Sequence, residues 1–147
     1  MSAIKFYVID INPAFTQKIK LKQFIKHIFS IEGKKLDRID FIFCSDEYLL
    51  SLNQQFLQHD YLTDILTFDL STNNKAITGE VYISIDRIKE NAATNNATYL
   101  HELKRVIFHG VLHLCGYLDK TSEEKALMTE MENYYLNQFE VFHVETR

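Results

Sequence analysis

Apolar and polar positions along the chain change period several times, and each change marks an element. Ile4, Phe6 and Val8 alternate with Lys5 and Tyr7, a strand pattern over 3–9. At Asn12-Pro13 the period lengthens. Asparagine as cap and proline in the first turn predict a helix to about Phe29. Phe15, Ile19, Ile25, Ile28 and Phe29 supply its apolar positions, and Lys18, Lys22 and Lys26 form a basic row four residues apart. After the turn Gly33-Lys34-Lys35, a second strand over 38–44 is apolar on both faces, which predicts a central place in a sheet. Ser45 then caps a helix with Asp46 and Glu47 in its first turn and Leu49, Leu52 and Phe56 on its apolar side, ending near Leu57.

Two further strands, 63–70 and 79–85, are joined by the short loop 71–75 and predict an antiparallel hairpin. A short helix over 86–93 precedes a long one over 99–115 with Leu103, Ile107, Val111 and Leu114 on its stripe. Thr121 with Glu124 three residues later forms a capping-box pattern, and Leu127, Met128, Met131, Tyr134, Tyr135 and Phe139 carry a last amphipathic helix. The order β-α-β-α-β-β-α-α-α predicts an α+β fold. A small mixed four-stranded β-sheet is packed with helices in one layered domain spanning 1–147.

Composition agrees with that picture. The 147 residues are 46% hydrophobic and 24% charged, enough apolar material for a core in one domain. No apolar run approaches the roughly 18–20 residues of a membrane span, so no membrane role is expected. Met1–Phe6 lacks the basic and apolar blocks of a signal peptide, and a cytoplasmic location is expected. Cys44 and Cys115 suit a reducing compartment, and a disulfide between them is not needed by anything in the sequence. The net charge of −4 is unevenly spread. Residues 1–38 carry eight basic and three acidic side chains, the rest eight basic and seventeen acidic. Such a face either meets a polyanionic partner or is simply a solvated helix surface.

The candidate chemistry lies in Phe108-His109-Gly110-Val111-Leu112-His113-Leu114-Cys115-Gly116-Tyr117-Leu118-Asp119. His109 and His113 are one helical turn apart on the same face. Gly116 can end the helix in a left-handed conformation and bring Asp119 back as a third ligand. Three protein ligands with an open position are the catalytic type of zinc site; the competing reading is a chance histidine pair near a helix end. Cys115 sits on another face and reads as a small buried apolar residue.

His109-Gly110-Val111-Leu112-His113-Leu114-Cys115-Gly116-Tyr117 resembles the signature H-G-x-L-H-L-x-G-Y-D-H of the YbeY family, bacterial metal-dependent endoribonucleases of ribosomal RNA maturation. Leu52-Asn53-Gln54-Gln55-Phe56 with Thr63-Asp64-Ile65-Leu66-Thr67-Phe68 is similar to that family's L-N-x-x-[YF]-R and P-T-D-V-L-S-F, and Gly79–Ser84 to its G-D-I-x-I-S. The resemblance spans nearly the whole chain. It implies a zincin-like metal-binding helix and one divalent ion per chain, zinc, held by His109, His113 and Asp119. It also implies single-strand-specific cleavage of a ribosomal RNA precursor, in maturation of the 16S 3′ end and ribosome quality control. Ribosomal proteins or an assembly GTPase are the implied protein partners.

Three positions depart from the signature. Asp119 stands at the third histidine, in the ungapped register that Glu123, Glu124, Met128 and Glu132 support. Leu57 replaces an arginine that the resemblance assigns to phosphate, and Leu62 replaces a proline. Lys120, beside the site in sequence, is therefore expected to act with His109 in catalysis, with Arg87, Lys104 and Arg105 as further candidate cations. On resemblance, Asn53, Asp64 and Ser84 contact substrate or orient ligands; Lys18, Lys22 and Lys26 would attract the RNA backbone. Two rivals remain. A zinc peptidase shares the spacing, but Gly110 occupies the position of its glutamate base. A non-catalytic assembly factor or RNA-binding protein would use the metal for stability alone.

Overall fold

The structure, a computed structural model, describes residues 3–145; the first two residues of the Met1–Phe6 stretch lie outside them. Its elements are β1 (Ile4–Val8), α1 (Lys18–Ile31), β2 (Leu36–Cys44), α2 (Asp46–Leu57), β3 (Ile65–Asp69), β4 (Ile77–Ser84), α3 (Ile85–Thr94), α4 (Tyr99–Leu114) and α5 (Ser122–Val141). That is the order the hydrophobic pattern predicts. The sheet runs β1-β2-β4-β3, with β2 parallel to β1 and β4, and β3 antiparallel to β4. The doubly apolar β2 is thus central, and the hairpin forms one edge.

The two sheet faces are filled by alternate residues. Ile39, Phe41 and Phe43 of β2, with Val81 and Ile83 of β4, join the main core shared with α1, α4 and α5. Cys44 and Leu66 face the other way and meet Leu49 of α2 in a smaller cluster. Both cysteines are free and buried, Cys115 in the main core and Cys44 in the smaller cluster.

The start of α1 differs from the sequence expectation. Asn12 Oδ1 accepts from the Ala14 N–H at 2.8 Å, a local turn in place of a helix cap. Ala14 and Gln17 have positive φ (52° and 62°), which a growing helix cannot contain, so α1 begins at Lys18. Phe15 still enters the core, but from the loop, edge-on to Phe6 and Phe43 with ring centroids 5.4 and 5.5 Å apart.

Helix α4 runs through the middle of the molecule and is buried on most sides, from Glu102 to Leu114. Gly110 lets it lie close to the sheet. A Cβ there would stand 3.0 Å from both Ile65 Cδ1 of β3 and Val81 Cγ1 of β4. The end of α4 follows the pattern expected of Gly116. That glycine has φ +107°, its N–H donates to His113 O, and the Tyr117 N–H donates to Leu112 O, both at 3.0 Å. This is a Schellman stop, which turns residues 117–121 back along the helix. The Thr121–Glu124 capping box then starts α5 as predicted.

Candidate metal centre

The close packing of α4 on β3 brings its exposed turn to the edge of the hairpin, where a groove of about 490 Å³ opens. Leu57, Thr63, Asp64, His109, His113 and Asp119 are among the residues lining it. The two imidazoles stand edge to face, 4.6 Å apart between centroids at 80°. The Schellman turn returns Asp119 to them. Its Oδ2 is 3.3 Å from His109 Nε2 and 3.1 Å from His113 Nε2, and one ligand atom from each residue falls within 4.8 Å of the others. Donors about 2.0–2.1 Å from a tetrahedral ion are themselves about 3.3 Å apart, so these three fit one divalent cation.

Both rings are held from behind. Glu132 Oε2 accepts from His109 Nδ1 at 2.5 Å, and the Tyr117 carbonyl accepts from His113 Nδ1 at 3.0 Å. Each ring proton is thereby drawn to Nδ1, and each Nε2 lone pair is left facing Asp119. The turn that ends α4 thus supplies both the third candidate ligand, Asp119, and the carbonyl that orients the second, His113.

Beneath His109 lies a buried ion network. Arg105 reaches Glu102 through Nε at 2.9 Å and Glu132 through Nη1 at 3.1 Å, with Asp64 Oδ2 at 3.9 Å from Nη2. Glu102 and Glu132 are only 2% and 4% exposed. Hydrogen bonding to Glu102 raises the guanidinium's pKa against the opposing effect of burial, keeping its charge on. For His109 burial works against protonation, yet the hydrogen bond and charge of Glu132, with Asp119 and Asp64, raise its pKa overall. Burial raises the Asp64 carboxyl despite the nearby Arg105 and His109 charges. Burial also pushes the Cys115 thiol up to about 12, so it is no thiolate donor at neutral pH.

Other sequence candidates fall elsewhere. Ser84 is fully buried; its Oγ caps α3 and donates to Asp46 Oδ1 at 2.7 Å, so it braces the α2–α3 junction. Asn53 is also buried, its amide donating to Tyr61 O at 3.0 Å, which shapes the loop after α2 from below. Among the described residues the groove lining contains no lysine or arginine. Lys120 is exposed and outside the lining, its backbone N–H donating to Glu124. Arg87 is paired with Asp46 at 3.0 Å, and Lys104 with Glu140 at 3.5 Å. Lys18 and Lys22 lie over Phe15 and Phe6, and Lys26 is exposed on the same helix. Phe6 belongs to β1, the sheet edge opposite β3, so the basic row does not border the groove.

Neither Glu102 nor Glu132 is expected as a site residue from the sequence; only Glu132 carries a signal that could have marked it as one. Met128, Glu132, Tyr135 and Phe139 follow one buried helical stripe, and a carboxylate on such a stripe needs a buried partner.

The chain is similar to known proteins over most of its length. The family profile described as Endoribonuclease YbeY matches residues 10–140. A Parabacteroides distasonis protein named Endoribonuclease YbeY is 47% identical over 131 residues, covering 89% of this chain and 92% of its own length. Its namesake from Cytophaga hutchinsonii is 43% identical over 134 residues, covering 91% and 94%. The solution structure of a Thermotoga maritima protein superposes with a TM-score of 0.58 at 29% identity, covering 92% of this chain and 88% of that one.

Proposed function

The chain belongs to the YbeY endoribonuclease family, and from that premise we propose that the groove between β3 and α4 is where it hydrolyses RNA. Its activity is that of an endoribonuclease, a hydrolase of RNA phosphodiester bonds, in the ribosomal RNA maturation that is the family's role. One observation carries the placement: His109 Nε2, His113 Nε2 and Asp119 Oδ2 converge, with both histidines oriented from behind. We assign these three as ligands of one divalent ion, zinc by the chemistry of a two-imidazole, one-carboxylate set. An ion held by these three residues would supply Lewis-acid chemistry, favouring attack on a phosphoryl group and the ionisation of water.

The protein's own groups do the rest. Glu132 holds the His109 ring, and Arg105 holds Glu132 in turn. Tyr117 O fixes the plane of His113. Asp64, in the groove wall, is the carboxyl we assign to give a proton to the leaving oxygen, because burial favours its protonated form. The substrate is unpaired RNA, taken from a 16S precursor near its 3′ end, and ribosome quality control follows from the same cut. Ribosomal proteins or an assembly GTPase would present that RNA, and the compartment is the cytoplasm. No helix among the described residues is long and apolar enough to cross a membrane. The whole of 1–147 acts as one domain.

The test uses purified protein stripped of metal and reloaded with zinc, incubated with an unpaired ribosomal RNA fragment. Cleavage is expected from the wild type and not from His113→Ala. Equal cleavage by the variant would refute the site. Zinc-dependent stability without any cleavage would favour the assembly-factor reading instead.

A further inference from the structure

The rim of the groove between Leu57 and Thr63 is unlike the rest of the surface. Gln58 adopts positive φ (56°), ending α2, and the His59 N–H returns to Asn53 O at 3.1 Å. The buried Asn53 side chain also donates to Tyr61 O at 3.0 Å, so one residue holds the turn at His59 through its backbone carbonyl and at Tyr61 through its amide. The turn carries two rings stacked at 5.0 Å and 22°, with the Tyr61 hydroxyl 2.9 Å from His59 Nδ1. Tyr61 is nevertheless 56% exposed, and Phe56 on the last turn of α2 is 59% exposed. One face of Tyr61 is backed by His59, and more than half of the residue remains exposed.

Charge decides what can lie on this rim. No lysine or arginine occurs between Arg38 and Lys75, and Asp60 stands between the two stacked rings in sequence, held by Gln54. A phosphate is repelled here. A neutral planar group is not, and the flat, pre-ordered Tyr61 ring offers it a surface without further ordering cost. Leu57 and Thr63 on either side of the turn both line the groove, so a strand lying in that groove passes the shelf.

We propose that Tyr61, backed by His59, is a base-stacking subsite for an unpaired nucleotide of the RNA beside the scissile phosphate. The proposal rests on the RNA-cleaving reading of the groove. In place of the phosphate grip implied by the arginine at position 57 of the related signature, this chain holds a base.

The test is the affinity of a short unpaired RNA for the full chain, measured by fluorescence anisotropy. Tyr61→Ala is expected to raise Kd about 5- to 150-fold, the usual range for losing one base–aromatic stack, and Tyr61→Trp to restore it. Abasic nucleotides are then scanned through the RNA. One position is expected to weaken wild-type binding by the same factor and to leave Tyr61→Ala unaffected. If Tyr61→Ala binds like wild type, or if every abasic position weakens both proteins equally, the subsite does not exist; a rim used for a protein partner would give that result. Wild-type protein that neither binds nor cleaves the RNA would instead remove the functional reading itself. Melting of the Tyr61 variants within a degree or two of wild type, expected for an exposed ring, excludes misfolding as the cause.

Discussion

Glu132→Gln is the sharpest probe of the metal centre, because it keeps shape and removes one acceptor. Glu132 gives Oε2 to His109 Nδ1 and Oε1 to Arg105 Nη1. Glutamine has one oxygen and one NH₂, so whichever way it turns, one N–H of its partners faces another donor. Arg105 retains Glu102, and even where the glutamine oxygen stays with His109 the neutral amide no longer supplies the charge that raises the ring's basicity. A hydrogen bond to a charged group is worth about 1.5–3 kcal/mol. Loss of the groups that orient metal-binding histidines lowers affinity about 10–100-fold, or about 1.4–2.8 kcal/mol, the same range. The apparent zinc Kd, read by competition with a chromogenic chelator at neutral pH, should rise by that factor. At a fixed zinc excess, each tenfold removes about 1.4 kcal/mol of ligand stabilisation, which shrinks the zinc-induced rise in Tm by about 3–6 °C. Glu130→Gln, an exposed change on the same helix, should do neither. Should Glu132→Gln bind zinc within twofold of wild type while Asp119→Ala loses it, the argument that Glu132 orients a ligand is wrong.

Other expectations follow from single packing and charge features. The Asp64 carboxyl titrates above its ordinary 3.8 because burial penalises its charge, so the fold loses stability as pH climbs from 3.8 through the raised value. Asp64→Asn should thus melt higher than wild type at pH 7, converge with it below about pH 3.8, and cleave RNA poorly; a lower melting point at pH 7 would contradict this. Gly110→Ala gains about 1 kcal/mol of helix propensity but must press on Ile65 and Val81, an overpacking cost of about 1–3 kcal/mol. Because Val81 is branched and fully buried in β4, a net fall of about 2–4 °C in Tm is expected, checked by calorimetry.

Most of the frame was readable before any coordinates, because it depends on local period and end signals. Ser45, Thr121 and Gly116 sit where caps and a stop must be, and β2 announces its central place through apolar residues on both faces. The grouping of candidate ligands was readable for the same reason, since a helix turn and a Schellman stop bring His109, His113 and Asp119 together within eleven residues. Contacts across the sequence were not. Glu132 meets His109 from 23 residues away, and Arg105, a surface cation by composition, turns inward only because two buried carboxylates wait there. Ser84 has the family's residue type but a helix to cap, which no spacing rule distinguishes from a groove contact.

The lysine row of α1 shows the same divide between pattern and place, and it can be settled quantitatively. As sequence, Lys18, Lys22 and Lys26 look like a phosphate-binding face. In the fold that helix lies by β1, across the sheet from the β3 groove, and two of the three lysines rest on phenylalanine rings. The groove itself offers Asp64, Asp69 and Asp119 and no fixed cation among the described residues. On the proposed reading, attraction for RNA would come from an ion held at the candidate centre and from uncharged contacts, and binding should depend only weakly on salt. Each phosphate neutralised on a single strand adds about 0.7 to the slope of log Kd against log salt concentration, so three engaged lysines would add about 2. Replacing Lys18, Lys22 and Lys26 together by glutamine should leave Kd and that slope unchanged. A slope that falls by about 2 in the triple variant would place the RNA path over β1 and refute a path along β3.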